Sequence, residues 1–191
     1  MADRASALGG VEFIGFVTVT ETAAPGMITL RGDPGGAAVA AALDTVGLPV
    51  PGRRQRVASG ARAALWMAPD EVLVMLPRAE LAAALAGMQG ELAGAHALLA
   101  DVSDARTVFT LSNGPVREVL AKLCPVDLHP DTFPAGEVRR TRAGQVPVAF
   151  WIDETGAATI ICFRSVAQYL SDILCLSAQP GSSAGLFPPA R

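Results

Sequence analysis

The stretch Asp101-Val-Ser-Asp-Ala-Arg-Thr-Val-Phe-Thr-Leu-Ser-Asn-Gly-Pro115 joins a group of polar side chains to an apolar run and a helix start. Residues 107–111 are β-branched, aromatic or aliphatic, which is typical of a strand. Asn113-Gly114-Pro115 ends that strand and begins a helix, because proline in the first helical turn loses only an N–H that has no partner there. The stretch therefore predicts a strand, a turn and a helix with charged residues at the strand's entry.

A second copy of this unit lies earlier in the chain, at Met27-Ile-Thr-Leu-Arg-Gly-Asp-Pro34. In that copy Asp33 is a candidate N-cap and Pro34 the first helical residue. The hydrophobic pattern after each copy predicts a helix, a hairpin and a second helix. We therefore expect an α+β fold of two ferredoxin-like halves, each with the order strand, helix, hairpin, helix, related by internal duplication.

The repeat and the distribution of Gly, Pro and Ser divide the 191 residues into four predicted parts. These are a flexible N-terminus at 1–12, a first α+β half at 13–90, a second α+β half at 95–176 and a tail at 177–191. The tail is rich in Pro, Gly and Ser, and it is interpreted as flexible or as an arm that docks on a partner.

Two features of the first half carry further expectations. The β-prone runs 13–20 and 27–31 are separated by Ala23-Ala-Pro-Gly26, which predicts a hairpin or a sharp reversal. The loop 49–60 holds Arg53, Arg54 and Arg56. That cluster is typical of a site for an anionic ligand or an acidic partner, and equally of a solvated loop.

Composition excludes several classes of function. The net charge is −3 with interspersed signs, so the chain has no basic footprint for nucleic acid. No apolar run reaches the ~18 residues of a membrane span, and the start resembles no secretory signal.

Hydrophobic residues make up 51% of the chain, which favours a subunit interface, although alanine enrichment explains part of the excess. Three cysteines without C-x-x-C spacing indicate free thiols in a reducing cytoplasm.

The polar residues of the opening stretch are the first chemical candidates. On a strand, Asp101 and Ser103 would face one side, and Asp104 and Arg106 the other. An Asp104–Arg106 ion pair is then expected, and the two aspartates need not meet, which argues against a paired-carboxylate hydrolase. We interpret the group as structural, or as part of an interface.

The histidines, cysteines and glycine-rich turns predict no catalytic, cofactor or metal residue in this chain. His96 and His129 lack ligand spacing, although Asp127 and Asp131 on either side of His129 allow a local Asp–His contact. Cys124 is interpreted as a small packed thiol. The turn Gly32-Asp-Pro-Gly-Gly36 matches no phosphate or dinucleotide motif.

Three stretches carry a resemblance to a known family. They are Asp101-Val-Ser-Asp-Ala-Arg106; Val119-Leu-Ala-Lys-Leu-Cys-Pro-Val-Asp-Leu-His-Pro130 with Phe133-Pro-Ala-Gly136; and Phe163-Arg-Ser-Val-Ala-Gln-Tyr-Leu170. In their order and spacing, from about residue 27 to 176, the chain resembles the gamma subunits of heterotetrameric sarcosine oxidases.

The resemblance implies a cytoplasmic bacterial complex that oxidises sarcosine to glycine, and a gamma subunit with the folate-binding aminomethyltransferase fold that supports assembly without catalysis. It implies alpha, beta and delta partner subunits, chiefly the large alpha subunit, with FAD, FMN, NAD and tetrahydrofolate bound in those partners. The residues expected to contact the partner, or to hold the two halves together, are Asp101, Asp104, Arg106, Asp127, His129 and Arg164.

Related folate-dependent tRNA-modifying proteins have a glycine-rich motif with Lys and Cys in the second half. The comparable stretch here, at 135–145, has neither residue, so that chemistry is not expected. The alternative hypothesis is a stand-alone folate-binding or one-carbon-transfer protein, which would use the carboxylates at 101 and 104.

Overall fold

The computed structural model of the chain describes residues 6–187. Within this range there are eleven strands and four α-helices. In chain order they are β1 Glu12–Ile14, β2 Thr18–Thr22, β3 Gly26–Arg31, α1 Ala37–Asp44, β4 Arg56–Ser59, β5 Arg62–Ala68, β6 Glu71–Leu76, α2 Leu81–Glu91, β7 Leu98–Asp101, β8 Arg106–Ser112, α3 Val116–Leu123, β9 Arg139–Ala143, β10 Val146–Ile152, β11 Ala158–Phe163 and α4 Ala167–Ser177. Short 3-10 turns at Arg78–Glu80 and Arg164–Val166 precede α2 and α4.

The chain forms two compact units that do not follow the predicted order of the halves. Unit 2 is Ala24–Asp104, and unit 1 combines the described residues 6–23 with 105–187. The expected boundaries, 13–90 and 95–176, differ because β2 pairs with β8 in unit 1 and β7 pairs with β3 in unit 2. The hairpin predicted between runs 13–20 and 27–31 is wrong for the same reason: β2 and β3 belong to different sheets.

Unit 2 is a five-stranded antiparallel sheet in the order β4-β5-β6-β3-β7. Its core joins the sheet to α1 and α2 through Ile28, Leu43, Val74 and Met88, all of which are completely buried. The predicted N-cap is wrong, because α1 begins at Ala37 after Gly36. Asp33 instead forms a turn in which its Oδ1 accepts the Gly35 N–H at 2.9 Å, a local bond that aspartate favours ahead of a helix.

Unit 1 is a six-stranded antiparallel sheet in the order β1-β2-β8-β11-β10-β9. Helix α3 lies where the opening stretch predicts a helix, and its Val116, Val119 and Leu120 side chains are buried in the core cluster. Gly114 lies before this helix, where a Cβ atom would overlap the main-chain oxygen of Phe16. The strand, turn and helix of the opening stretch are therefore fixed by close packing against the segment before β2.

The duplication is confirmed at the level of elements. The order β3, α1, β4, β5, β6, α2 in one copy corresponds to β8, α3, β9, β10, β11, α4 in the other. The predicted α+β fold class is confirmed with it. No helix among residues 6–187 is long and apolar enough to cross a membrane.

The termini predicted as flexible lie partly outside the described residues, at 1–5 and 188–191. In the described part of the N-terminus, the Leu8 and Gly10 N–H groups donate to the Glu21 carboxylate at 3.0 and 2.8 Å. The described part of the tail is bonded to α3, as set out below.

Candidate functional site

The Asp101–Arg106 stretch is a turn between two strands, rather than one continuous strand. β7 ends at Asp101 and β8 begins at Arg106. The Asp101 Oδ1 atom accepts hydrogen bonds from the Ser103 N–H at 2.9 Å and the Ser103 hydroxyl at 2.5 Å. Ser103 is completely buried, and its Oγ accepts the Met27 N–H at 2.8 Å. The predicted alternation of faces is therefore wrong, and the Asp101–Ser103 pair joins this turn to β3.

The remaining predicted residues fall into three places. The Asp104 carboxylate pairs with the Arg78 guanidinium at 2.6 Å in unit 2. At the end of the β8–β11 ladder in unit 1, the Arg106 guanidinium lies 5.7 Å from the ring centroid of Phe163. The Arg164 N–H donates to the Ala105 carbonyl at 2.9 Å. The structure thus brings Arg106, Phe163 and Arg164 together, and Phe163 is 51% exposed.

The Asp127–Asp131 loop follows α3 in unit 1. The Asp127 Oδ1 atom accepts the His129 N–H at 2.9 Å, and this bond lowers the pKa of Asp127 from its ordinary value. The Asp131 N–H donates to His129 Nδ1 at 3.3 Å. The predicted Asp–His contact is therefore made twice, by the backbone of His129 with the Asp127 carboxylate and by the His129 imidazole with Asp131, and the two together fix a turn. The imidazole is exposed at the surface.

Unit 1 contains a cleft of about 710 Å³ beside the first turn of α3, called the α3 cleft below. Apolar and small residues form much of it, and the hairpin turn between β10 and β11 closes one side. Its lining includes Pro115, Glu118, Ile152, Glu154, Ser183 and Phe187. Unit 2 has a cleft of about 670 Å³ at the corresponding strand-to-helix turn, lined by Gly32, Asp33, Asp70 and His96 among others.

Glu118 is the most enclosed ionisable group of the α3 cleft, with 2% of the residue exposed. Its Oε2 atom accepts the Ser183 hydroxyl at 2.7 Å and the N–H groups of Ala184 and Gly185 at 2.7 and 3.1 Å. These bonds, led by the one from Ser183, lower the pKa of Glu118 from its ordinary value. The carboxylate is therefore an ionised acceptor that holds the C-terminal segment.

Lys122 lies one helical turn after Glu118 and binds the same segment through its carbonyl oxygens. Its Nζ donates to the Ser177 carbonyl at 2.8 Å and to the Ser182 carbonyl at 2.5 Å. The ammonium also lies 4.9 Å from the ring centroid of Phe16, a favourable cation–π geometry. Residues four apart share a helix face. The same face of α3 therefore forms hydrogen bonds with both N–H and C=O groups of the C-terminal segment, through Glu118 and Lys122 respectively.

Arg117 and Phe133 hold the loop after α3 on the other side of the helix. The Arg117 Nη1 donates to the Leu128 carbonyl at 2.7 Å. Its guanidinium lies 5.8 Å from the centroid of the fully buried Phe133 ring, and burial lowers the pKa of Arg117. The edge of Phe133 meets the Phe150 ring at 5.3 Å between centroids. The helix therefore supports two irregular segments at once.

Two of the cysteines, Cys124 and Cys162, lie in the core of unit 1. Burial raises the pKa of Cys124 and of Cys162 to about 12, so both thiols are protonated at neutral pH and are poor nucleophiles. Among the described residues, 6–187, no group of three or more His, Cys, Asp or Glu side chains is arranged to hold a metal ion.

Glu118 and Lys122 were not predicted as functional residues. Both lie off the apolar stripe of an amphipathic helix, a position that normally indicates a solvated face. The only sequence signal is the spacing of four residues between an acid and a base, which on its own predicts an ion pair within the helix. Their actual partners lie about 60 residues further along the chain.

Comparison with known proteins decides the family. The family model for the sarcosine oxidase gamma subunit matches residues 31–179. The chain belongs to the sarcosine oxidase gamma subunit family. Among members of this family, the sarcosine oxidase subunit gamma of Arthrobacter sp is 35% identical over 144 residues, covering 72% of this chain and 68% of the relative. That of Corynebacterium sp. (strain P-1) is 36% identical over 140 residues, again covering 72% and 68%.

Solved structures agree with this family. The heterotetrameric sarcosine oxidase from Corynebacterium sp. U-96, in complex with pyrrole 2-carboxylate, contains a chain that matches with a TM-score of 0.80 and 28% identity, over 87% of both chains. The glycine cleavage system aminomethyltransferase T from Bartonella henselae matches with a TM-score of 0.58 and 14% identity, covering 84% of this chain and 45% of the other. The second match shows the fold alone.

Proposed function

We propose that this chain is the gamma subunit of a heterotetrameric sarcosine oxidase and supports assembly of the complex without catalysing a step itself. The complex would oxidise sarcosine to glycine, using O₂ and tetrahydrofolate. The match over 87% of both chains to a chain of a heterotetrameric sarcosine oxidase is the observation that carries this proposal. The low reactivity of Cys124 and Cys162 supports the non-catalytic role.

The partners and cofactors follow from the same proposal. The chain would bind the alpha, beta and delta subunits, chiefly the large alpha subunit, in the cytoplasm. FAD, FMN, NAD and tetrahydrofolate would be bound by those partners.

The surface around Phe163 is the proposed contact with the large subunit. An aromatic ring that is 51% exposed lies beside Arg106 and is followed directly by Arg164. Aromatic residues and arginine are enriched in the cores of protein interfaces and among residues that carry most of the binding energy. The loop with Asp127 and His129 is a second proposed contact, since both side chains are exposed. Asp101 and Asp104 are proposed as contacts at the β7–β8 turn.

Co-expression tests the proposal. A tagged chain produced with the alpha, beta and delta subunits of a sarcosine oxidase should purify as a complex with sarcosine-dependent peroxide release, while the isolated chain releases none. Phe163→Ser should reduce recovery of the large subunit more than the control Leu176→Ser, which alters an apolar residue that is 63% exposed on α4. A folded chain that purifies alone from this co-expression contradicts the proposed function.

The stand-alone folate hypothesis is not favoured. It depended on the carboxylates at 101 and 104, and these accept bonds from Ser103 and Arg78 respectively. Calorimetry with a reduced folate on the isolated chain separates the two hypotheses, because saturable heat that is lost in Asp101→Asn would support folate binding by this chain.

A further inference from the structure

The segment at 182–187, called the strap below, lies against α3 without a strand or helix ladder of its own. Its main-chain groups are bonded by side chains of the helix. Glu118 accepts the N–H groups of Ala184 and Gly185, and Lys122 donates to the carbonyl of Ser182. Recognition of an extended segment through its own N–H and C=O groups is how peptide-binding sites obtain affinity.

The α3 side of this contact is rigid and preformed. Glu118 is 2% exposed within a regular helix turn, so its carboxylate has little freedom to leave the strap. Helix α3 is fixed by Val119 and Leu120, both completely buried in the core of unit 1. When the strap leaves, water replaces its N–H and O–H groups at the Glu118 carboxylate, so an occupant competes best when it supplies the same donors to this charged acceptor.

The strap is held much more lightly than the helix that binds it. Residues 183–186 are exposed, with Leu186 at 57%, and Phe187 is the strap residue that packs on the core cluster. The strap also lines one side of the α3 cleft, whose volume is about 710 Å³. The strap therefore has the contacts of a bound ligand: a few polar anchors and one aromatic side chain.

We propose that the side of α3 that carries Glu118 and Lys122 is a peptide-binding site, and that the strap is its resident intramolecular ligand. The site takes an irregular segment with the pattern of Ser183, Gly185 and Phe187, which turns at its glycine. The serine supplies a hydroxyl to Glu118, the glycine fits the positive backbone φ of 68° at that position, and the aromatic ring enters the rim of the core. A segment of this kind from another chain competes with the strap, which has the advantage of a high effective concentration. Binding of such a peptide does not depend on the assembly proposed above.

A labelled peptide tests this in the full-length chain. The probe is a synthetic peptide of residues 180–187, acetylated and amidated, with fluorescence anisotropy as the readout. Ser183→Ala in the chain weakens its own strap and leaves Glu118 and Lys122 unchanged. The probe should therefore bind this variant at least about threefold more tightly than the unchanged chain, because the intramolecular competitor is weaker. Adding Glu118→Gln to that variant should weaken probe binding by about tenfold or more, since the charged acceptor is lost.

Two controls make the test decisive. A probe with alanine in place of its second serine, the one equivalent to Ser183, should bind more weakly than the original. If the Glu118→Gln chain fails to give the circular dichroism and melting curve of a folded protein, Lys122→Met replaces it and should weaken the probe in the same direction. The proposal is overturned by a probe that shows no saturable binding to the Ser183→Ala chain, or by binding that is indifferent to Glu118 and Lys122.

Discussion

Replacing Ser103 by alanine removes one hydroxyl from the centre of the β7–β8 turn. The Met27 N–H, which donates to this hydroxyl at 2.8 Å, then has no acceptor, and Asp101 loses its 2.5 Å bond. Ser103 is completely buried, so water cannot replace it without rearrangement. Since a buried N–H left unpaired costs about 1–3 kcal/mol, we expect unit 2 to lose about 2 kcal/mol of its free energy of unfolding.

Urea denaturation measures this loss. The two tryptophans are Trp66 on β5 in unit 2 and Trp151 on β10 in unit 1, so a Trp151→Phe background makes the fluorescence report on unit 2. With a slope of about 2 kcal/mol per molar urea, the midpoint should fall by about 1 M. The control Ser59→Ala, at an exposed position of β4, should change the free energy by less than about 0.5 kcal/mol. A loss for Ser103→Ala as small as that of the control would refute the structural role assigned to this hydroxyl.

Three further predictions use other parts of the molecule. The pKa of Glu118 is lowered from its ordinary value of 4.5 in the folded chain, so its contribution to stability is complete above that value and is lost as the pH falls through the folded-state pKa. Melting curves between pH 7 and 3 should therefore show that Glu118→Gln loses less stability on acidification than the unchanged chain. Equal losses of stability would contradict this. Gly114→Ala should destabilise unit 1 by about 2 kcal/mol through main-chain overlap, whereas Gly90→Ala, in α2 with open space around it, should stabilise the chain by about 0.5–1 kcal/mol, both read from chemical denaturation. Iodoacetamide at pH 8 should label the half-buried Cys175 before Cys124, whose thiol pKa is about 12, as mass spectrometry of the native chain can show; labelling of Cys124 first would be inconsistent with its burial.

Local patterns in the sequence predicted some elements that pair with near neighbours and missed others: β4, which pairs with β5, is a strand at Arg56–Ser59 inside the predicted loop 49–60. The hairpin of β5 and β6 follows α1, as the hydrophobic pattern of the first half predicts. Strand β2 was assigned to the wrong sheet, because its partner β8 is distant in sequence: the Thr22 and Thr110 hydroxyls, 2.8 Å apart, are separated by 88 residues. No local pattern specifies which of two similar strands, β3 or β8, a preceding strand will join.

The candidate site shows the same limit. The residue types of the Asp101–Arg106 stretch indicated a structural or an interface role, and the alternation argument assumed a strand where the chain turns. Strand β7 was missed because it is short and only partly buried. Glu118 looked like a solvated residue, since nothing in helix periodicity reveals that a segment 65 residues further along will cover it.

The discontinuity of unit 1 has a consequence for synthesis. Unit 2 is one continuous segment, Ala24–Asp104, while β2 is made before it and β8 after it. During synthesis on a ribosome, unit 2 can therefore complete its sheet before β8 has been made. Until then, the edge of β2 that pairs with β8 is unpaired, because its partner lies 88 residues further along the chain. An open strand edge is a template for pairing with other chains, so the interval between the emergence of β2 and that of β8 is when the nascent protein is most exposed to misassembly.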